Sequence, residues 1–196
     1  KMPFKKLVKE LESKGINVIL DAAHGIGMIP LDLDGIGASY TTSNCHKWLC
    51  SPKGVAFLHV RKDLQENIRP LVISHGMSFP LNGTTRFRNE FDWTGTRDVS
   101  AWCVVPFLID TLENLIEGGL KTIMSKNHDL VIKGRNIICE KLNIKPPCPD
   151  EMITCIASLK LPLGDEKSIP LHEPDPLHIK LLEEYNIQVP VWYWPN

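Results

Sequence analysis

The chain has 196 residues, enough for one large domain or two small ones. Apolar residues make up 43% and charged residues 23%, which are ordinary globular values that argue against disorder, collagen and coiled coil. The formal net charge of −1 gives no electrostatic reason to expect nucleic acid or an anionic membrane as a partner, and no apolar run approaches the roughly 20 residues that span a bilayer.

The first predicted elements are a helix and a buried strand. Apolar residues recur at helical spacing over residues 3–14, and Gly15 suits the left-handed end of such a helix. Residues 16–20 form a short apolar run that stops at Asp21, which predicts a buried strand. A helix, a tight turn and a buried strand form half of a βαβ unit, so we expect a parallel sheet.

Two further buried strands are predicted over residues 38–42 and 54–60. The polar stretch between them, residues 43–53, contains too many functional groups to serve packing alone. Residues 73–97 have little periodicity and several glycines, and a loop of that length is usually functional or an interface.

The second half of the chain is predicted to be mainly helical. The spacing of apolar residues predicts helices over residues 99–116 and 120–142. A strand, a proline-rich loop, a short helix and a last strand are predicted over residues 152–161, 162–176, 177–185 and 187–192. We therefore expect part of a large α/β domain over residues 1–117 and a smaller α+β domain over residues 118–196.

The six cysteines contain no Cys-x-x-Cys pair, so a zinc clip is not expected. The start of the chain has no apolar signal core. Free thiols in a reducing compartment are the simpler interpretation, and we expect a cytoplasmic protein without a bound metal.

Ionisable side chains follow two neighbouring strands of the predicted sheet. Asp21 and His24 come directly after the first strand, and His46 and Lys47 follow the second. In parallel α/β sheets, ligands bind beyond the carboxyl ends of the strands. These four groups are therefore expected to converge on one crevice.

A carboxylate and an amine at one crevice suggest Schiff-base chemistry. A buried lysine near other cations has a lowered pKa and becomes a nucleophilic amine. Pyridoxal phosphate needs such a lysine and a carboxylate that keeps its ring nitrogen protonated. Each residue alone also has a simpler interpretation, with Asp21 as a turn cap, Lys47 as a solvent-facing side chain and His24 as a core histidine.

Several segments are distinctive in combination: Asp21-Ala22-Ala23-His24, Gly35-Ile36-Gly37-Ala38, Asn44-Cys45-His46-Lys47-Trp48-Leu49, Pro52-Lys53-Gly54 and Phe91-Asp92-Trp93-Thr94-Gly95-Thr96-Arg97-Asp98. Together they resemble the class V aminotransferase family of pyridoxal-phosphate enzymes, in particular its isopenicillin N epimerase-like branch. The resemblance implies an α/β structure with a partial PLP-dependent transferase fold (fold type I), made of part of the large, mostly parallel-sheet domain and a smaller C-terminal α+β domain. It also implies pyridoxal 5′-phosphate as the cofactor.

The resemblance implies a catalytic role for Lys47 and His24. Lys47 matches the lysine that forms the internal aldimine and later moves the Cα proton of the substrate. Asp21 matches the carboxylate paired with the pyridine nitrogen. His24 occupies the position of the side chain that hydrogen-bonds the phenolic oxygen of the cofactor.

The resemblance also implies contacts with the phosphate group of the cofactor. Asn44 and His46 lie where phosphate ligands or their near neighbours are found. Gly95 and Thr96 resemble the turn that reaches the phosphate of the neighbouring subunit's cofactor. The resemblance therefore implies a homodimer with shared active sites.

The resemblance covers only the middle and later parts of the family's longer chain. The phosphate loop that precedes this region and the arginine that binds the substrate carboxylate are missing, so we expect a fragment of a longer protein or a decayed copy.

The resemblance implies a C–S lyase or an epimerase that acts on a small amino acid, with a sulfur-containing one favoured. The alternatives are a non-catalytic relic or interaction module, an aminotransferase or cysteine desulfurase of the same family, and an unrelated phosphate-binding α/β domain. A desulfurase is less favoured because Cys139, Cys148 and Cys155 lack a Ser/Gly-rich loop.

Overall fold

The computed structural model describes residues 2–162 and 173–192. The strands are β1 (Ile19–Asp21), β2 (Tyr40–Asn44) and β3 (Ala56–Val60). The α-helices are α1 (Phe4–Glu12), α2 (Leu33–Ile36), α3 (Arg86–Asp92), α4 (Ser100–Cys103), α5 (Val105–Leu115), α6 (Gly119–Leu142) and α7 (Pro176–Tyr185). Short 3₁₀ helices cover Lys62–Asn67, His75–Met77 and Asp150–Met152. Most of the predicted loop over residues 162–176 lies outside the described residues.

The strands form one sheet in the order β1-β2-β3. β1 and β2 are parallel, with Asp21 opposite Thr42, so the carboxyl ends of both strands lie at the same edge of the sheet. β3 is antiparallel to β2, with Tyr40 opposite Val60. The connection over residues 45–55 contains no helix, and without a crossover helix the chain can return only in the opposite direction.

Two apolar clusters support this sheet. The first joins α1, α2 and the start of β2 through the buried side chains of Val8, Ile36 and Ala38, and Leu20 of β1 packs against it. The second lies around the connection between β2 and β3 and packs against α4 and α5. Its buried members are Cys45, Leu49 and Val55.

Glu12 joins the end of α1 to the beginning of the sheet. One carboxylate oxygen accepts hydrogen bonds from the backbone N–H groups of Val18 (3.0 Å) and Ser39 (2.9 Å), and from the Ser39 hydroxyl (2.7 Å). The other oxygen accepts from the Arg61 guanidinium at 2.6 Å. Burial raises the pKa of the Glu12 carboxyl, but these donors outweigh burial and lower the pKa to about 2.

Several element predictions are confirmed. The predicted helices over residues 3–14, 120–142 and 177–185 correspond to α1, α6 and α7. The predicted helix over residues 99–116 is divided into α4 and α5. The division falls before Pro106, whose ring cannot be accommodated in the middle of a continuous helix.

Other element predictions are wrong. Residues 152–161 and 187–192 contain no strand, because an extended segment becomes a strand only where a neighbouring strand pairs with it, and no such partner occurs in the described chain. Residues 73–97 are not a long loop, since they contain α3 and a 3₁₀ turn. The predicted buried strand over residues 54–60 is β3, which is exposed at alternate positions such as Leu58.

Contacts between Cα atoms divide the chain into two compact units, residues 1–159 and 160–196. In the second unit, the Asp175 carboxylate accepts a hydrogen bond from the Leu177 N–H and caps the start of α7. The predicted domain boundary at residue 118 stays a prediction. No helix of the described ranges combines the length and apolar character needed to cross a bilayer.

Candidate active site

A cavity of about 570 Å³ lies at the carboxyl end of β1. Its polar wall contains Asp21, His24 and Lys47. Its apolar wall includes Phe4, Leu20, Met28 and Leu31. The fold therefore brings together a carboxylate, an imidazole and an amine from two separate segments of the chain.

Asp21 is the last residue of β1, and its side chain is held by the chain that follows it. One carboxylate oxygen accepts a hydrogen bond from the Ala23 N–H at 2.9 Å. This turn holds the Asp21 carboxylate in place at the start of the loop, and the same loop carries His24. Within residues 2–162 and 173–192, no basic side chain forms an ion pair with Asp21.

Lys47 lies in the connection after β2 and is half-buried. Its backbone N–H donates to the Asn44 carbonyl oxygen at 3.3 Å. On either side, Cys45 and Leu49 are 4% and 1% exposed and anchor this segment in the second apolar cluster. No carboxylate of the described chain forms an ion pair with the Lys47 amine, so the amine can serve a ligand.

Asn44 and His46 lie beside the cavity, but neither belongs to its wall. His46 Nδ1 is 3.0 Å from the Val55 carbonyl oxygen, and His46 Nε2 is 3.4 Å from the Asn44 amide nitrogen. A carbonyl oxygen can only accept, so Nδ1 carries the proton and Nε2 accepts from Asn44 in neutral His46. The pair is thereby fixed against the start of β3.

Gly95 and Thr96 lie in the turn after α3 and do not line the cavity. The helix before this turn is held by Glu90, which is 2% exposed and forms ion pairs with Arg69 and Arg86. The structure therefore does not bring these two residues to the wall that Asp21, His24 and Lys47 share.

Sequence reasoning missed two residues that organise the cavity wall. Ser43 is fully buried, and its hydroxyl donates to the Ala22 carbonyl oxygen (2.6 Å) and accepts from the Ile26 N–H (3.1 Å). Gly27 has φ +79°, and a Cβ atom there would lie 2.5 Å from the Trp48 carbonyl carbon. Glycines in the loop after a strand, such as Gly27, are a sequence signal for close backbone approach, whereas a serine within a strand carries no such signal.

The family of the chain follows from its sequence. Residues 1–147 match the sequence profile of the Aminotransferase class-V family. The chain belongs to this family, which uses pyridoxal 5′-phosphate, and this confirms the cofactor and the family that the motifs predicted.

Relatives and solved structures agree with this placement. The chain is 34% identical to an L-cysteine desulfhydrase of Arabidopsis thaliana over 98% of its own length and 41% of the relative's. It is 28% identical to an isopenicillin N epimerase of Streptomyces clavuligerus over 84% of its length and 44% of the relative's. The chain thus spans less than half the length of these relatives.

The fold is shared with a cysteine desulfurase from Thermococcus onnurineus NA1. The TM-score is 0.66 at 16% identity, and the match covers 95% of this chain and 44% of the desulfurase chain. Such low identity establishes the fold alone. The structural match confirms the predicted partial fold type I of PLP-dependent transferases.

The chemistry of the cavity wall fits the family's cofactor. Pyridoxal phosphate requires an amine for its aldehyde, a carboxylate for its ring nitrogen and apolar surface for its ring. Lys47, Asp21 and the apolar wall supply groups of these kinds around one cavity.

Proposed function

We propose that this chain carries the lysine-bearing part of the active site of a PLP-dependent enzyme that acts at Cα and Cβ of an amino acid. C–S bond cleavage is the favoured reaction. The proposal depends on one observation. Asp21, His24 and Lys47 line a single cavity at the carboxyl end of β1. Parallel α/β sheets bind their ligands at this position.

Each of the three side chains has its own task. The Lys47 amine attaches the cofactor covalently and then carries the proton removed from the substrate Cα. The Asp21 carboxylate holds a proton on the ring nitrogen, and His24 hydrogen-bonds the phenolic oxygen. When bound, the cofactor withdraws electrons from the substrate Cα.

Asn44 and His46 are proposed to lie on the phosphate side of the cofactor. Both lie next to the segment that carries Lys47, and the hydrogen bond from Asn44 to His46 fixes their side chains there. Their place beside the cavity rather than on its wall suits residues that contact only the outer end of a ligand.

C–S cleavage and epimerisation begin with the same loss of the Cα proton. In cleavage, the electron pair left at Cα expels the sulfur from Cβ, whereas in epimerisation a proton returns to the opposite face of Cα. We favour cleavage because the desulfhydrase relative is matched at 34% identity over nearly the whole chain. Epimerisation is the second candidate, supported by the 28% match to the isopenicillin N epimerase.

A cysteine desulfurase that uses Cys139 or Cys155 is disfavoured, because its nucleophile must be able to reach the substrate. Cys139 is buried in α6, and Cys155 is half-buried with its Sγ near the Met28 carbonyl oxygen. Burial raises the pKa of the Cys155 thiol, which lowers its nucleophilic thiolate fraction. A relic or interaction module remains the alternative if the chain binds no cofactor.

The proposed enzyme works as a homodimer in which Gly95 and Thr96 reach the partner's cofactor. Two features support this arrangement. The turn that holds these residues lies away from this chain's own cavity wall. It also lies near an exposed apolar segment, since Ser74 Oγ is 3.7 Å from the position of a Cβ atom at Gly95. A cytoplasmic location stays a prediction.

The cofactor assignment can be tested by reduction with borohydride. We expect the protein with pyridoxal phosphate to absorb at about 410–430 nm and to carry a reduced adduct on the Lys47 peptide, detected by mass spectrometry. Lys47→Ala should abolish this adduct. Lys53→Ala removes an exposed lysine of the same connection and should leave the adduct unchanged.

Asp21→Ala should still form the adduct, but sulfide release from L-cysteine should fall by about a thousandfold or more because the electron sink is lost. Normal sulfide release in this variant would contradict the role of Asp21. A colourless protein with unmodified Lys47 would overturn the proposal and favour the relic. Deuterium exchange at Cα without sulfide release would favour the epimerase.

A further inference from the structure

We propose that Ser43 is a positioning residue that sets the Asp21–His24 loop against the segment that carries Lys47. This inference rests on the proposed function, since it concerns how two groups of the proposed site are held in register. Ser43 is 0% exposed on β2, and Lys47 follows four residues later along the chain. The hydroxyl therefore acts from inside the protein, without touching a ligand.

The Ser43 hydroxyl binds both sides of the loop. It donates to the carbonyl oxygen of Ala22, directly after Asp21, at 2.6 Å. It accepts from the N–H of Ile26, two residues after His24, at 3.1 Å. A single oxygen thus closes the loop that presents the carboxylate and the imidazole to the cavity.

The backbone bonds between the two segments hold only the start of the loop. The Ala22 N–H donates to the Thr42 carbonyl oxygen at 2.9 Å, and the Asn44 N–H donates to the Ala23 carbonyl oxygen at 3.2 Å. These bonds align the strand ends and do not reach residues 24–26. In the described chain, the Asp21 carboxylate at the end of β1 and the Ser43 hydroxyl of β2 are the side-chain groups that hydrogen-bond residues 22–27, and only Ser43 reaches beyond Ala23.

Loss of the hydroxyl leaves the half-buried Ile26 N–H without its partner, while the Ala22 carbonyl oxygen keeps only the hydrogen bond from the Gly25 N–H inside the loop. An alanine at position 43 cannot replace either bond, so the loop gains freedom relative to the lysine segment. Cofactor contacts made across the cavity require both sides at once, so they weaken with this freedom. We expect the dissociation constant for pyridoxal phosphate to rise about tenfold in Ser43→Ala.

Thr41 provides a matched control on the same strand. Thr41 is also 0% exposed, but its hydroxyl is buried without a hydrogen-bond partner within the described chain. Thr41→Val removes a hydroxyl at the same depth and breaks no bond to the loop. Ser43→Thr provides the rescue, because it keeps the hydroxyl even if the added methyl group lowers thermal stability.

The experiment has two readouts on the whole chain. Hydrogen exchange, followed by mass spectrometry without cofactor, should become at least roughly tenfold faster over residues 22–28 in Ser43→Ala and stay unchanged in Thr41→Val. Titration with pyridoxal phosphate should show weaker binding in Ser43→Ala, unchanged binding in Thr41→Val and restored binding in Ser43→Thr.

Unchanged exchange in Ser43→Ala would overturn the inference. Faster exchange with unchanged cofactor affinity would also overturn it, because Ser43 would then serve stability alone. If the unmodified chain binds no pyridoxal phosphate, the proposed function fails separately, and the exchange readout still decides whether Ser43 holds the loop.

Discussion

Gly27 shows how one backbone position sets the distance between two loops. Its φ of +79° lies in the left-handed region, which glycine adopts without steric cost. The position of its absent Cβ is 2.5 Å from the carbonyl carbon and 2.6 Å from the carbonyl oxygen of Trp48, the residue after Lys47. Any larger side chain must push the Lys47 segment away from the loop that carries His24.

Gly27→Ala should lower the free energy of unfolding by about 3 kcal/mol, since it adds a backbone clash to the strain of a positive φ. Gly15→Ala is the control, because Gly15 has φ +74° and no atom within 4 Å of its Cβ position. It should cost only about 1 kcal/mol. Urea denaturation of both variants measures the difference, and equal losses would show that the approach to Trp48 has no energetic importance.

At the scale of the elements, Glu12 fastens a helix to all three strands. It binds the residue before β1 and the residue before β2 through backbone N–H groups, and it binds the residue after β3 through Arg61. Because its pKa is lowered to about 2, the carboxylate is more acidic in the folded protein than in the unfolded chain. Its stabilisation is therefore fully present above pH 4.5, the ordinary value, and is lost as pH falls towards 2.

Glu12→Gln should destabilise the protein by about 2 kcal/mol at pH 7, and this difference from the unmodified protein should shrink between pH 4.5 and 2. Glu10→Gln, an exposed position of the same helix, should have little effect at either pH. Thermal unfolding at a series of pH values measures both. A difference that does not change with pH would show that Glu12 acts through packing and not through its charge.

At the scale of the whole molecule, an exposed apolar segment follows the sheet. The apolar segment 71–81 has large side chains that are each at least 44% exposed, namely Leu71, Val72, Ile73, Met77, Phe79 and Leu81. An exposed cluster of large apolar side chains often marks an interaction site. The segment is also close to Gly95, so the proposed homodimer would bury both together.

Leu71→Glu combined with Val72→Glu should convert the dimer to a monomer, because charges would be buried without partners. Leu130→Glu, which alters an equally apolar exposed position on α6, should leave the dimer intact. Light scattering after size-exclusion chromatography measures the mass. A monomeric unmodified protein would contradict the proposed dimer.

Local signals in the sequence predicted the elements that depend on local forces. Apolar spacing located α1 and α6, and the end of an apolar run located Asp21 at the end of β1. That Lys47 and Asp21 line one cavity was also predictable, since parallel strands bring their carboxyl ends to one edge.

Features that depend on a distant partner could not be predicted in this way. Residues 152–161 have the composition of a strand, but strand formation needs a neighbour that periodicity does not reveal. The direction of β3 depends on what its connection contains. The bonds of Ser43 join residues 17 and 21 positions apart, and no local pattern encodes them.

The side chains that fasten β1 to β2 lie at opposite ends of the pair, with Glu12 at one end and Ser43 at the other. The sheet is partly open to solvent, since Ile19 of β1 and Leu58 of β3 are 73% and 44% exposed. Neither of these two side chains lines the cavity. A protein engineer could therefore place solubilising residues or a fluorescent label at Ile19 or Leu58 while the ligand-facing geometry is preserved.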